Sequence, residues 1–209
     1  MSCSLRVSNV TKTYYGVGKV LDGLNLEASA GDVVLILGPN GSGKTTLLKI
    51  ITGIEPVDGG EAFINGLSTK KAFARRHIGL VLDKPGLYPE LTVRENLEFY
   101  SRLRGEPVPG WALELLGLTG VMERRVGELS FGWRRRADLA RALIGEPALL
   151  LVDEPYTGQD QNGREAVSAI ISRVAEAGCV VATSPDESTK KLYDWSRVLV
   201  LRDGRLEPV

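Results

Sequence analysis

The segment Gly38-Pro39-Asn40-Gly41-Ser42-Gly43-Lys44-Thr45-Thr46 constrains this chain more than any other part of it. It fits the pattern G-x-x-x-x-G-K-[ST], follows the apolar run Val33–Leu37 directly, and opens a helical pattern that extends to Thr52 before Gly53. Strand, glycine-rich loop and helix in that order form a cradle for phosphate. The glycines let successive backbone N–H groups converge on anionic oxygens, and the helix beginning near Lys44 points its positive end at the same place. Lys44 is placed to reach the β- and γ-phosphates of a nucleoside triphosphate, and Thr45 to offer a hydroxyl to Mg2+. All nine residues from Gly38 to Thr46 are therefore candidate binding residues.

The rest of the chain fits such a core. Ile78–Leu82, Leu149–Val152 and Val180–Thr183 are short runs apolar on both faces, as strands of a parallel sheet are. Helix-length patterns run from Arg134 to Leu143 before Gly145, and from Arg164 to Ala177 before Gly178. Alternation of strand and helix predicts α/β. Near the start, Leu5–Val7 and Leu24–Ala28 alternate apolar with polar residues, and Glu61–Ile64 lies between two glycine turns. That pattern predicts an antiparallel sheet with one wet face. The tail, Val198–Leu201 followed by Arg202–Arg205, reads as a hairpin. Residues 86–143, broken by Pro107 and Pro109, read as a helical lobe inserted into a single domain spanning 1–209.

Composition removes several alternatives. Twenty-six basic residues balance 26 acidic ones, so no net field draws in a polyanion, and nucleic acid is not expected as a partner. No apolar stretch approaches the ~20 residues that cross a bilayer. His77 is the single histidine, which excludes a two-histidine zinc site. Cys3 and Cys179, far apart in sequence, do not suggest a disulfide framework, and a reducing cytosol is expected. The Arg134–Arg136 run, taken alone, reads as a solvated helix face.

A second chemical signal ends the Leu149–Val152 run: Asp153-Glu154-Pro155. Adjacent carboxylates at the C-terminal end of a buried strand lie where open α/β sheets bind ligands. Asp153 is placed to hold Mg2+, and Glu154 to polarise a water attacking the γ-phosphate.

With these motifs the chain resembles an ATP-binding-cassette (ABC) transporter ATPase, of a compact exporter-like type, from Leu5 to Leu206. The resemblance implies a P-loop NTPase core with a mostly parallel sheet, an N-terminal antiparallel β-subdomain and an inserted α-helical subdomain. Tyr14-Tyr15-Gly16 is similar to the family's aromatic loop, with Tyr15 the closer match for stacking on adenine. Leu129-Ser130-Phe131-Gly132-Trp133 resembles the signature LSGGQ, which implies γ-phosphate contacts from Ser130 and Gly132 across a dimer. Thr157-Gly158-Gln159-Asp160 resembles the D-loop, with Asp160 facing the second subunit. The family's functions imply ATP and Mg2+ as cofactors, a second ABC ATPase subunit in a homo- or heterodimer, and a transmembrane permease gripped by the helical lobe. They also imply a peripheral location on the cytoplasmic face of the cell membrane.

Three motifs depart from the family pattern. Asp83 stands where a glutamine normally faces Mg2+, adding negative charge beside a phosphate while remaining able to ligate the metal. Phe131 and Trp133 replace Gly and Gln of the signature. Ser184 follows Thr183 where a switch histidine is usual, and offers one neutral hydrogen bond in its place, so slower turnover is expected. Three functions follow: an ATPase subunit powering a transporter; a degenerate regulatory subunit that hydrolyses ATP only beside a different partner; and, last, a family member acting on DNA or ribosomes, disfavoured by the neutral charge and single cassette.

Overall fold

The computed structural model describes residues 3–209. It opens with strands β1 (Ser4–Tyr14) and β2 (Gly18–Ser29), then β3 (Val33–Leu37), helix α1 (Lys44–Ile51), and strands β4 (Gly59–Ile64), β5 (Leu67–Ser68) and β6 (Ile78–Val81). Helices α2 (Val93–Arg104), α3 (Gly110–Leu115) and α4 (Phe131–Ala142) follow. The chain closes with β7 (Leu149–Asp153), α5 (Gln161–Ala175), β8 (Cys179–Ser184), β9 (Arg197–Arg202) and β10 (Arg205–Pro208).

These strands form two sheets, a four-stranded one in the order β2-β1-β4-β5 and a six-stranded one in the order β10-β9-β3-β8-β7-β6. Every pairing recorded in the first is antiparallel, as the alternating pattern predicts. In the second, β9, β3, β8, β7 and β6 run parallel, and β10 closes the edge as the expected hairpin partner of β9. β3 lies between β8 and β9, so the loop that follows it emerges in the interior of the sheet's carboxyl edge.

The parallel strands are apolar on both faces because both faces are covered. Val34 and Ile36 of β3 face a core with Leu47, Leu48 and Ile51 of α1 and with Leu5, Val7 and Leu26 of the antiparallel sheet. Val33, Leu35 and Leu37 face a second core with Leu139 and Ala140 of α4, Ile170 and Ile171 of α5, and Leu97 of α2. Helix α1 is thus clamped between two sheets, which fixes the phosphate loop at its N-terminus. Gly79 lets α4 press on β6: a Cβ there would lie 2.4 Å from the Ala142 carbonyl oxygen.

Caps explain the helix starts that periodicity misplaces. α4 begins at Phe131, three residues before the expected Arg134, because Ser130 occupies the cap position with its Oγ facing the Trp133 N–H. α5 begins at Gln161 rather than Arg164 because Asp160 accepts from Gly163 N at 2.8 Å. α2 carries a reciprocal capping box between Thr92 and Glu95 and ends at Gly105 in the left-handed region, leaving Pro107 and Pro109 in the break before α3.

Two expectations are corrected. Arg135 and Arg136 are not solvated; they are 3% and 7% exposed, because they lie one helical turn before the buried Leu139 and Ala140 on the inward face of α4. Cys3 and Cys179 are joined in a disulfide across 176 residues of sequence, because the chain before β1 runs beside the start of β8. Sequence separation does not measure distance between two stacked sheets.

Candidate nucleotide site

The loop after β3 is shaped by glycine. Gly41 and Gly43 have φ of 83° and 105°, the left-handed region that other residues enter at a cost, and Gly43 is the residue from which α1 starts. No atom lies within 4 Å of where a Cβ of Gly41 would be, so its backbone faces open space. Lys44 is 6% exposed and folds back over the loop, its Nζ donating to the carbonyls of Gly38 at 2.7 Å and Pro39 at 3.0 Å. Burial holds the Lys44 ammonium below the usual lysine range, opposed by the nearby Asp153 and Glu154 carboxylates. Ser42 Oγ is buried without a hydrogen-bond partner. A cationic head satisfied only by loop carbonyls, an unpartnered hydroxyl and an open glycine backbone together fit an anionic ligand rich in oxygens. Beside the loop lies a cavity of about 710 Å³, lined by Pro39 and Asn40 of the loop together with Pro185, Glu187 and Asp203.

Under the loop, α1 meets the end of β7. Thr45 Oγ1 donates to Asp153 Oδ2 at 2.6 Å, and Thr183 on the adjacent β8 donates its hydroxyl to Asp153 Oδ1. Asp153 is 3% exposed, so a carboxylate at this depth is held by two hydroxyls in place of water. A divalent cation fits here in one way: Thr45 and Asp153 supply hard oxygen ligands, and phosphate oxygens and waters complete the shell, as Mg2+ prefers. No group of three or more His, Cys, Asp or Glu side chains suited to a metal occurs among the described residues.

Glu154 follows with φ of 51°, a left-handed conformation unusual for a side-chain-bearing residue. Its N–H donates to Thr183 O at 3.0 Å, and its Oε2 accepts from Thr157 Oγ1 at 2.9 Å. The turn lifts the carboxylate out of the sheet's edge, half-buried beside Asp153.

The remaining expected residues are distributed around this centre. Asp83 lies exposed in the loop after β6, its carbonyl held by Arg135 Nη1 at 3.3 Å. Tyr15 is fully exposed in the turn between β1 and β2, while neighbouring Tyr14 is half-buried with Lys12 Nζ 4.9 Å from its ring centre. Ser130 is exposed at the tip of α4, and Gly132 sits against the Gly158 carbonyl; neither lines the cavity at the phosphate loop. Ser184 is 4% exposed, and its hydroxyl is engaged by Thr189 Oγ1 at 2.8 Å and by the Asp186 N–H at 3.1 Å. It is turned into the bend after β8, so this arrangement does not offer the Ser184 hydroxyl to a phosphate.

Residues not anticipated as part of the site tie it together. Arg135 donates Nη1 to Leu82 O at 3.0 Å and Nη2 to Glu154 O at 3.0 Å, and also reaches Asp153 O. Arg136 pairs with Asp160 at 2.6 Å and Gln159 at 3.2 Å, with Trp133 stacked 4.5 Å away. Asp138 is fully buried, which pushes its carboxyl above the usual range against the pull of Arg141 at 2.7 Å. The signal that reveals Arg135 and Arg136 is their i,i+4 spacing to Leu139 and Ala140.

Comparison with known proteins agrees with this geometry. The family profile described as ABC transporter matches residues 21–157. The chain is 38% identical to the Nod factor export ATP-binding protein I of Rhizobium etli over 95% of its own length and 65% of that protein's. It is 36% identical to the sulfate/thiosulfate import ATP-binding protein CysA of Methylococcus capsulatus over 99% of its own length and 62% of that protein's. It spans only 9% of the ATP-binding cassette sub-family A member 2 of Rattus norvegicus, at 36% identity over 97% of this chain. The chain therefore spans less than two thirds of these curated relatives. Among solved structures, a dimeric ATP-binding cassette in a post-hydrolysis state with ADP and Pi aligns at a TM-score of 0.86 and 29% identity, covering 97% of this chain and 96% of that one. The chain belongs to the ABC transporter family and has the fold of its ATP-binding cassettes.

Proposed function

We propose that this chain binds and hydrolyses ATP with Mg2+ and thereby powers a membrane transporter. The observation that carries the reading is the hydrogen bond from Thr45 to Asp153, which joins the foot of the phosphate loop to the strand end bearing Glu154. The names of the curated relatives, export and import ATP-binding proteins, support the transport role.

In this reading the loop amides and Lys44 receive the phosphates, and Lys44 exchanges the carbonyls of Gly38 and Pro39 for phosphate oxygens. Thr45, Asp153 and Asp83 are the residues that would hold Mg2+, which would supply charge neutralisation on the phosphates when bound. Glu154 accepts a proton from the attacking water, and Thr157 orients the carboxylate that does so. Tyr15 offers an exposed ring to a base. Ser130, Gly132 and Asp160 face a second subunit, which supplies the same groups in return; the dimeric relative supports this. The lobe within 86–143 meets a transmembrane permease, and the cassette sits peripherally at the cytoplasmic face. Among the described residues no helix is long and apolar enough to cross a membrane.

A second reading, a subunit that hydrolyses ATP only beside a different partner, draws support from the engagement of Ser184 by Thr189 and Asp186. Glu154→Gln tests the first. Turnover by the purified protein falls about 10²- to 10⁴-fold while MgATP affinity stays within about threefold. An equal loss in both, or no loss in turnover, removes Glu154 from the role.

A further inference from the structure

Arg135 is a buried guanidinium with no carboxylate hydrogen-bonded to it. Its bonds go to main-chain carbonyls: Leu82 at 3.0 Å and Asp83 at 3.3 Å from Nη1, Glu154 at 3.0 Å and Asp153 from Nη2. Those carbonyls belong to two loops, one at the end of β6 and one at the end of β7, parallel neighbours in the sheet. A planar fork that presents two nitrogens in fixed geometry can hold both loops at once, which a lysine cannot. The ring of Phe131 lies 5.8 Å from the guanidinium carbon and closes its open side.

The two loops carry Asp83 on one side and Asp153 with Glu154 on the other. Glu154 has φ of 51°, so its backbone needs external support, and the bond from Arg135 to its carbonyl provides it alongside the bond from its N–H to Thr183. The charges converge as well. Burial works against the cation at Arg135, and the carboxylates of Asp138 on its own helix, Asp83, Asp153 and Glu154 work for it.

We propose that Arg135 is a positioning residue for Glu154, holding the carbonyl of that residue and the carbonyls of the loop after β6 in one fixed arrangement. Because Ser130 caps α4, Arg135 also ties the signature segment to the Glu154 loop. This inference rests on the reading that the chain hydrolyses ATP.

The experiment compares wild type with Arg135→Gln and, as a charge-retaining control, Arg135→Lys. Hydrolysis is read as kcat and KM, MgATP affinity by calorimetry, and folding by melting temperature. Arg135→Gln is expected to lower kcat about tenfold or more with KM changed less than about threefold. Arg135→Lys is expected to keep MgATP affinity yet still lose kcat, since it keeps the charge and loses the fork. A change confined to KM overturns the positioning role. If Arg135→Gln melts far below wild type, Arg135→Lys decides the matter: full kcat in the folded Arg135→Lys variant overturns the role. If wild type shows no turnover, the hydrolysis reading falls by itself; amide hydrogen exchange over 153–157 is then expected to quicken in Arg135→Lys, and unchanged exchange overturns the positioning role.

Discussion

Thr45 and Asp153, 108 residues apart in the chain, are joined by a hydrogen bond of 2.6 Å from Oγ1 to Oδ2. Thr45 opens the helix that follows the phosphate loop, and Asp153 ends β7, so the bond closes the floor of the site between two elements that α1 and the sheet hold rigidly. Thr45→Val is expected to weaken MgATP binding about tenfold, or about 1.4 kcal/mol, and to leave binding of metal-free ATP nearly unchanged. Calorimetry with and without chelator checks this; equal loss in both would mean that the hydroxyl serves the fold and not the metal.

Ser184 was expected to hand one hydrogen bond to a phosphate, and its hydroxyl is instead shared with Thr189 and Asp186. Ser184→Ala should therefore alter turnover less than about twofold and cost about 1 kcal/mol of stability, read in a denaturant titration. A large loss of turnover with unchanged stability would restore the catalytic assignment.

How far the sequence was legible follows from where each signal lies. The phosphate loop, the Asp153-Glu154 pair and the buried strands are local patterns, and local patterns survive without coordinates. The antiparallel sheet was legible in its alternation, since one face packs on α1 and the other is wet. For Arg135 the i,i+4 spacing to Leu139 signals burial but not its role, because the carbonyls that make a buried guanidinium tolerable come from residues 53 and 19 positions away, and nothing in a run of arginines announces them. The Cys3–Cys179 pair was hidden for the same reason. The hydroxyl partners of Ser184 were not legible either: its register with the strand is a local pattern, while the turn after it, with Asp186 accepting from Ser188 N at 2.8 Å, depends on side-chain bonding.

The disulfide ties the chain ahead of the antiparallel sheet to β8 of the parallel one. Reductant or Cys3→Ala should lower stability by about 2–4 kcal/mol, through the freedom each restores to the unfolded chain. A thermal melt in oxidising and reducing buffer reads it directly. The variant should melt alike in the two; a wild type indifferent to reductant would mean that the bond is not formed in solution.

Tyr15 is fully exposed, with its ring in solvent, whereas the ring of Tyr14 is already occupied by Lys12. If a base stacks at this turn it does so on Tyr15, and Tyr15→Ala should weaken ATP binding about five- to tenfold without changing the affinity for inorganic triphosphate. The same loss from Tyr14→Ala and none from Tyr15→Ala would move the platform one residue back.

The central proposal is that this cassette hydrolyses MgATP when paired with a second ABC ATPase subunit, a role that another copy of the chain can fill in the purified protein. The most direct measurement is phosphate release by the purified protein over a range of concentrations, with Lys44→Ala and Glu154→Gln alongside. The account predicts turnover that rises more steeply than in proportion to concentration and vanishes in both variants. ATP binding with no phosphate release at any concentration would contradict it and make a different partner subunit obligatory.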